Sequence, residues 1–347
     1  MKIHILSKDP RQYDSDFSET CGSFDTIGLI LKKGLRQLGF YTDNIDEATH
    51  VGIADSLATD FNIPGKKCFI ICFVDTINTV PSIVLDRIYN NPHLRIFSIN
   101  QHTADLFEKY GVDCSVIDPG IDPDYWKIEE WPYTPPNYFA FNHLGFSNFR
   151  SGLDQLIQAF DLAFCENKDV RLIIKDTSNS EKLAQKIVEY QNKGNNIHHL
   201  VGRWTFTQLK HLYSMTNVAC NVLRFSAHGL PIAESTLCRN VCLAGDFDPS
   251  NQLIDNGCGM LLKPEKEVYV DEIMSQMVNE WGLVDTFNHL SFPERPRVYS
   301  YNIEQYASLL KDVYTNYPTI KQTEYRSKMV EKWDYLKSAQ KLVNGLI

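Results

Sequence analysis

One segment of the chain, residues 221–235, combines residue types that suit the binding of a phosphate and a sugar. A helix pattern begins near Leu230 and carries Pro231 in its first turn, where a missing N–H costs nothing. Ala227 and Gly229 keep the preceding loop slim, so that backbone amides can approach an anionic ligand closely. The segment therefore predicts a loop and helix start that could hold a phosphate.

Glu234 follows one helical turn after Leu230. A carboxylate at that position can accept two hydrogen bonds from the hydroxyls of a ribose, as acidic residues do in dinucleotide sites. The same spacing also fits an ordinary Gly-Pro helix start with a solvated glutamate. The residues by themselves leave both interpretations open.

Cys238 and Cys242 are four residues apart and raise the question of a metal site. Neither has a histidine or carboxylate partner at a spacing typical of zinc ligands, so we interpret both as core cysteines and predict no metal site.

Short apolar runs alternate with helical patterns along the chain, which predicts βαβ units and parallel sheets. The predicted strands are Met1–Leu6, His50–Ala54, Cys68–Val74, Leu94–Asn100, Cys114–Ile117, Tyr138–Leu144, Val170–Lys175, Ile197–Val201, Val218–Leu223, Val241–Ala244 and Met260–Leu262. Residues 129–136 hold three prolines and predict a linker. We therefore predict two Rossmann-like α/β domains, 1–128 and 129–323, whose carboxyl-edge loops face each other across a cleft, where ligands of parallel sheets bind.

Composition narrows the class of protein. The 347 residues are 43% hydrophobic and 22% charged, as in ordinary globular proteins, which excludes disordered and collagen-like chains. The longest apolar run, Cys68–Val74, is far shorter than the roughly 20 residues of a membrane-spanning helix, and Met1–Leu6 is too short for a signal peptide. Nine scattered cysteines favour a reducing, cytoplasmic location (the host cytoplasm for a viral protein), and a net charge of −9 gives no general electrostatic reason to expect nucleic acid.

The segment 221–235 resembles the donor loop of retaining glycosyltransferases of the GT-B fold, family 4 (group 1), which usually reads Arg-x-Glu-Gly-Phe-Gly-Leu-Pro-x-x-Glu-Ala. The matching residues are Arg224, Gly229, Leu230, Pro231 and Glu234. Ser226 stands where the first glutamate is expected, Ala227 replaces glycine and His228 replaces phenylalanine. Further segments that resemble the family are Ser98–Phe107, Val116–Asp122, Leu144–Gly145, Arg150–Phe160, Ile197–Gly202 and Leu209–Tyr213.

The resemblance implies transfer of a sugar from a nucleoside-diphosphate donor, held by the second domain, to an acceptor hydroxyl held by the first. Retention of anomeric configuration and independence of metal and other cofactors are implied with it. It also implies that the leaving phosphate takes the acceptor proton, so His228 would touch the donor rather than act as a base. The carboxy-terminal helix, 324–347, would pack back on the first domain.

The resemblance also assigns individual residues. Glu234 would hold the ribose, and the backbone of His228–Leu230 would contact the sugar and phosphate, within a donor loop that includes Arg224 and Ser226. The residues expected beside the nucleobase are Gly202, Arg203 and Trp204, and those expected on the acceptor side are Gly22, Ser23 and Asp75. Trp204 could equally serve packing, and Asp75 could equally be a helix or turn cap.

Two cations of the family are absent from their usual places. The arginine expected after Gly145 is Phe146, and the lysine expected before Gly152 is Ser151. We predict that Arg150 and Lys175 supply the compensating charge and, with Glu234, form the catalytic set; the alternative is that both cations are solvated surface charges.

Three hypotheses about the function follow from the resemblance. The default acceptor is a glycan or another saccharide. Ser226 leaves the identity of the donor sugar undetermined and is compatible with a pentose. A second hypothesis is therefore a phage-type transferase that acts on a hydroxymethylated base in DNA. The negative net charge of the chain disfavours this hypothesis. The third hypothesis is that the protein is a non-catalytic member of the family that binds a nucleotide or glycan without turnover.

Overall fold

The computed structural model describes residues 1–6, 23–54, 63–72, 74, 76–127, 137–226, 229–248, 250–254, 259–287, 289–319, 330–331 and 333–347, without the side chains of 23–25 and 252–253. The chain divides into two compact units. Unit 1 comprises Met1–Tyr125, Leu290–Glu294 and Val330–Ile347, and unit 2 comprises Trp126–His289 and Arg295–Met329. The predicted linker, 129–136, lies outside the described residues.

Unit 1 contains a parallel sheet with the strand order β1-β2-β3-β4-β5. Its strands are β1 (Ile3–Leu6), β2 (His50–Ala54), β3 (Lys67–Cys72), β4 (Arg95–Ser98) and β5 (Cys114–Val116). Its helices are α1 (Ser23–Gln37), α2 (Ser82–Asn90) and α3 (Gln101–Lys109), and the short helix α4 (Pro123–Trp126) ends at the unit boundary. Strand β2 is buried along its whole length, and β3 is buried beyond Lys67, because both faces of the sheet are covered.

Two later segments belong to unit 1. Helix α12 (Tyr335–Leu346; α5 to α11 belong to unit 2) packs against α1, and the hydroxyl of Tyr335 donates a hydrogen bond to the side-chain oxygen of Gln37 over 3.1 Å. Residues 290–294, which the sequence analysis placed in the second domain, lie with unit 1, where Ser82 N–H donates to the carbonyl of Ser291.

Unit 2 contains a six-stranded parallel sheet with the order β11-β10-β9-β6-β7-β8. The strands are β6 (Phe139–Gly145), β7 (Val170–Asp176), β8 (Ile197–Val201), β9 (Val218–Asn221), β10 (Val241–Gly245) and β11 (Gly259–Leu262). The helices are α5 (Leu153–Phe164), α6 (Glu181–Asn192), α7 (Phe206–Ser214), α8 (Leu230–Leu237), α9 (Ser250–Ile254), α10 (Val270–Trp281) and α11 (Ile303–Asn316). A separate antiparallel pair joins β12 (Lys266–Tyr269) to β13 (Arg297–Ser300).

The predicted fold class, α/β with parallel sheets in both halves, is confirmed. In unit 2 the strand order reverses between β6 and β9, which pair directly. Ligands of open α/β sheets bind at the carboxyl edge beside such a reversal. Within the described residues, no helix is long and apolar enough to cross a membrane.

Candidate functional site

The loops that follow β6 and β9 meet at the strand reversal of unit 2. Asn148 caps a short 3-10 turn in the first loop, where its side-chain oxygen accepts hydrogen bonds from the backbone N–H groups of Arg150 and Ser151. Gly152 ends that turn with φ +63°, and a Cβ there would lie 2.7 Å from the carbonyl oxygen of Val222 in the other loop. This close approach requires glycine at position 152.

Arg224 joins the two loops from the interior of the unit. Its guanidinium forms a bidentate pair with Asp154 at 2.7 and 2.6 Å and also donates to the carbonyl of Phe149 at 2.7 Å. Only 3% of the residue is exposed. The structure therefore uses Arg224 to tie the donor loop to the start of α5, and its charge is already matched by Asp154, so it does not contribute a cation to the edge of the sheet.

Lys175 and Asp176 end strand β7 and differ in their surroundings. The Asp176 carboxylate accepts hydrogen bonds from Ser147 N–H (3.1 Å), Ser178 N–H (2.7 Å) and the Ser178 hydroxyl (2.6 Å). Burial alone would raise the pKa of Asp176, but these bonds, together with nearby His199, hold the pKa well below its usual value. Asp176 is therefore a fixed anion.

Lys175 has no such partners. Only 6% of the residue is exposed, and its ammonium makes no hydrogen bond or ion pair with any residue that the structure describes. Burial lowers the pKa of Lys175 from its ordinary value, the charge of Asp176 opposes that shift, and the charge of Arg203 adds to it. The interpretation of Lys175 as a solvated surface charge is therefore wrong.

The loop after β8 places the residues expected beside a nucleobase. Gly202 N–H donates to the carbonyl of Asp176 over 2.9 Å, which attaches this loop to the end of β7. Arg203 is exposed and Trp204 is half-buried. Thr205 then caps α7 in a reciprocal capping box with Gln208. The three predicted residues therefore follow the end of β8, which pairs with the end of β7, where Lys175 lies.

Helix α8 begins at the strand reversal with one open backbone donor. Gly229 adopts φ +52° just before Leu230, and Pro231 removes one N–H from the first turn. The Leu230 N–H makes no hydrogen bond with a described residue. The Ser226 hydroxyl accepts a hydrogen bond from Gly229 N–H over 3.4 Å. Ala227 and His228 lie outside the described residues, so the predicted contact of His228 with a donor stays a prediction.

Glu234 lies on the first turns of α8 and is 7% exposed. Its Oε2 accepts a hydrogen bond from the hydroxyl of Tyr213, a fully buried residue of α7, over 3.1 Å. Burial raises the pKa of Glu234 from 4.5 to about 7, although the Tyr213 hydrogen bond opposes that shift. Its Oε1 has no hydrogen-bond partner within the described part of the chain, and so it remains available to a ligand.

The remaining predicted residues divide between the core and the segments outside the description. Gly22 and Asp75 lie outside it, and Ser23 is described only as the first residue of α1. Cys238 and Cys242 are fully buried, and the Cys238 thiol donates to the carbonyl of Trp126 over 3.2 Å. The described residues contain no group of three or more side chains suited to a metal.

Comparison with known proteins identifies the family of unit 2. Residues 137–288 match the family model "Glycosyl transferases group 1". Unit 2 is a group 1 glycosyl transferase domain, and the chain is a glycosyltransferase. No curated protein matches the chain in sequence.

Solved structures agree on the fold. Anabaena Alr3699/HepE in complex with UDP and glucose aligns with a TM-score of 0.65 and 13% identity over 100% of this chain and 99% of its own. WaaG, a glycosyltransferase involved in lipopolysaccharide biosynthesis, aligns with a TM-score of 0.63 and 11% identity over 100% of this chain and 99% of its own. A glycosyltransferase from Rickettsia africae ESF-5 aligns with a TM-score of 0.60 and 14% identity over 98% of this chain and 82% of its own. At these identities the likeness establishes the GT-B fold.

Three residues that shape this transferase site were not predicted from the sequence. Asp154 neutralises Arg224, Asp176 anchors the loops after β6 and β7, and Tyr213 holds Glu234. Asp176 had a visible signal, because it directly follows Lys175 at the carboxyl end of a predicted strand. The pairing of Asp154 with Arg224 joins residues that are 70 positions apart, for which local spacing carries no signal.

Proposed function

We propose that this glycosyltransferase moves a sugar from a nucleoside-diphosphate sugar, bound at the carboxyl edge of unit 2, to an acceptor hydroxyl with retention of anomeric configuration. The observation that carries the proposal is the buried Glu234, whose Oε2 is held by Tyr213 while Oε1 stays available. A carboxylate fixed in this way is suited to accept hydrogen bonds from the hydroxyls of a ribose. UDP is the first candidate for the nucleotide, because the neighbour HepE is described in complex with UDP and glucose.

The phosphates of the donor would lie where α8 begins. The N–H of Leu230 and the positive end of the α8 dipole favour an anion there. Arg150, on the loop after β6, and Lys175, at the end of β7, are the side-chain cations proposed to neutralise the diphosphate in place of a metal ion. Because the leaving diphosphate gains negative charge in the transition state, fixed cations and N–H groups at this edge would accelerate its departure.

The reaction breaks the bond between the anomeric carbon and the diphosphate and forms a bond from that carbon to the acceptor oxygen on the same face of the sugar. The acceptor proton passes to the departing phosphate oxygen, so that no protein base is needed. The acceptor is proposed to be the hydroxyl of a saccharide. The predicted acceptor-side residues Gly22 and Asp75 lie outside the described part of the chain, which leaves that proposal to experiment. We also propose a cytoplasmic location, consistent with the free thiols of the seven described cysteines.

A thermal-shift screen tests the donor class. The purified protein would be melted with UDP, GDP, ADP, CDP and dTDP and with their nucleosides. We expect one diphosphate to raise the melting temperature, since a ligand that binds only the native state stabilises it. The sugar nucleotide that carries this diphosphate should then be consumed, and the product should keep the anomeric configuration of the donor. If none of the five diphosphates stabilises the protein, the proposal is overturned.

Substitution of Glu234 by alanine tests the residue that carries the proposal. Loss of hydrogen bonds to a charged group should weaken diphosphate binding by about 10- to 100-fold, while the affinity for the 2′,3′-dideoxy form of the same nucleotide should change little. Isothermal calorimetry on both proteins measures the difference. An equal loss for both nucleotides would contradict the ribose role of Glu234.

A further inference from the structure

Lys175 is a largely buried cation at the carboxyl edge of unit 2, without a counter-ion among the described residues. It is nine-tenths buried, and its ammonium makes no hydrogen bond or ion pair with a described residue. Removing an ammonium from water without a partner is costly, and proteins normally pair such groups. A lysine in this state at the carboxyl edge of a parallel sheet indicates a site that is completed by an anionic ligand.

The neighbouring carboxylate does not neutralise Lys175, and the structure shows why. Successive side chains of a strand point to opposite faces of the sheet, so Lys175 and Asp176 point away from each other. On its own face, the Asp176 carboxylate accepts three hydrogen bonds, one from Ser147 and two from Ser178. These bonds engage the Asp176 carboxylate on that face, so that its charge acts on Lys175 while the two side chains form no ion pair.

Arg203 adds positive charge to the same place. The Gly202 N–H bonds to the Asp176 carbonyl, and this attachment brings the next residue, Arg203, close enough for its charge to act on Lys175. Two cations whose charges act on each other create a positive field at the ends of β7 and β8. Such a field suits a ligand with more than one negative charge.

The loop after β6 lacks the cations that the resembling family carries there. Phe146, in place of the arginine, is an apolar side chain that is 42% exposed. Ser151, in place of the lysine, is buried, and its hydroxyl donates to the carbonyl of Asn148 over 2.7 Å. Neither residue can neutralise a phosphate by charge.

We infer that the principal cation for the diphosphate of the donor has moved in this chain from the loop after β6 to the end of β7, where the buried ammonium of Lys175, reinforced by Arg203, binds the diphosphate. This inference rests on the proposed function. Of the two cations proposed above, it names Lys175 rather than Arg150 as the one that takes over the main role of the two missing cations. Because little water screens a largely buried side chain, its ammonium interacts strongly with the charge that develops on the leaving group.

Replacing Lys175 by methionine tests the inference, because methionine has a similar length and suits a buried position. The affinity for the stabilising diphosphate among UDP, GDP, ADP, CDP and dTDP should fall by about 10- to 100-fold, whereas the affinity for its nucleoside should not change. The matched control is Lys168→Met, which removes an exposed lysine just before the amino end of the same strand. This control should bind the diphosphate as the wild type does.

Thermal melting of the ligand-free variants adds a readout that separates a binding lysine from a structural one. Lys175→Met should melt at a higher temperature than the wild type, because it removes a buried charge that has no partner. A lysine with a structural role would give the opposite result. The gain should shrink as the pH approaches 10.5, since the lowered pKa of Lys175 means that its protonation destabilises the native state only below that value.

A rescue experiment addresses the relocation itself. Restoring the family cations as Phe146→Arg and Ser151→Lys in the Lys175→Met background should recover a large part of the lost affinity for the diphosphate. Diphosphate binding that is unchanged in Lys175→Met would overturn the inference, together with the role proposed above for Lys175, but would leave the transfer from a nucleoside-diphosphate sugar standing. If the wild-type protein binds no diphosphate, the inference and the proposed function are both wrong.

Discussion

Glu234 and Tyr213 form a buried pair whose charge depends on pH near neutrality. The pKa of Glu234 is raised from 4.5 to about 7, so the native state binds this proton more readily than the unfolded chain does. The stability that the protonated carboxyl contributes is fully present below pH 4.5 and is lost as the pH rises to about 7. The charged form, which accepts hydrogen bonds best, becomes dominant only above that pH.

The affinity for the nucleotide should therefore rise with pH through about 7 and then level off. Tyr213→Phe removes the hydroxyl that stabilises the carboxylate, which raises the pKa of Glu234 further and moves the midpoint of this rise to higher pH. Calorimetric titrations between pH 6 and 9 measure the shift.

The matched control for this substitution is Tyr306→Phe, which removes the hydroxyl of another buried tyrosine, on α11. The titration of the phosphate itself, with a second pKa of about 6, is common to all the proteins compared. If the pH profiles of the two variants coincide, Tyr213 does not position Glu234.

At the level of the elements, the meeting of two loops at the strand reversal depends on Gly152. Alanine at this position would have to adopt φ +63° and would place its Cβ 2.7 Å from the carbonyl of Val222. We expect Gly152→Ala to lower the free energy of unfolding by about 1–3 kcal/mol and to weaken nucleotide binding, because the loops after β6 and β9 must separate.

Gly39→Ala is the control for backbone strain alone. Gly39 also has a positive φ, +76°, but a Cβ there meets nothing within 4 Å. Thermal melting and nucleotide titration of both variants separate strain from crowding. A loss in Gly152→Ala no larger than that in Gly39→Ala, with binding intact, would show that the contact between the loops is not required.

Most strands of the two parallel sheets could be predicted because they are short apolar runs that are buried on both faces of the sheet. The run His50–Ala54, for example, is a strand with the same bounds in the structure, and all five residues are buried. The antiparallel pair β12 and β13 was missed. The residues of β12 are largely exposed and give no apolar run, and its partner β13 lies about 30 residues further along the chain, where Val298 pairs with Val268.

The part of the candidate site that could be predicted consists of polar residues placed just after predicted strands or at the start of a predicted helix. Lys175 and Glu234 were singled out because one ends an apolar run and the other follows a Gly-Pro helix start. What the pattern could not show is which charges are already matched inside the protein. Arg224 was expected at the donor, but a carboxylate 70 positions earlier matches its charge.

At the scale of the whole molecule, unit 1 depends on the packing of α12 against α1. A Cβ on Gly34 of α1 would lie 2.6 Å from the Cβ of Ala339 and 2.8 Å from the carbonyl of Tyr335, so the two helices touch at this glycine. Gly34→Ala should therefore lower the stability of the protein by about 1–3 kcal/mol, although alanine is the better helix former.

Gly28→Ala, on the same helix, is the matched control. Its Cβ would make an ordinary contact of 3.8 Å with Ile5, so the substitution should raise the stability by up to about 1 kcal/mol. Differential scanning calorimetry of both variants measures the expected opposite changes in stability. If both variants are stabilised, the close packing of the two helices is not a requirement of unit 1.

The position of α12 in the chain also has a consequence for synthesis. Unit 1 draws on residues from both ends of the sequence, whereas the sheet of unit 2 lies within 139–262. Helix α1 leaves the ribosomal exit tunnel early and waits for its packing partner while about 300 further residues are translated. The domain encoded later therefore completes its folding first, and the apolar side of α1 needs shielding from other nascent chains until residue 346 has emerged.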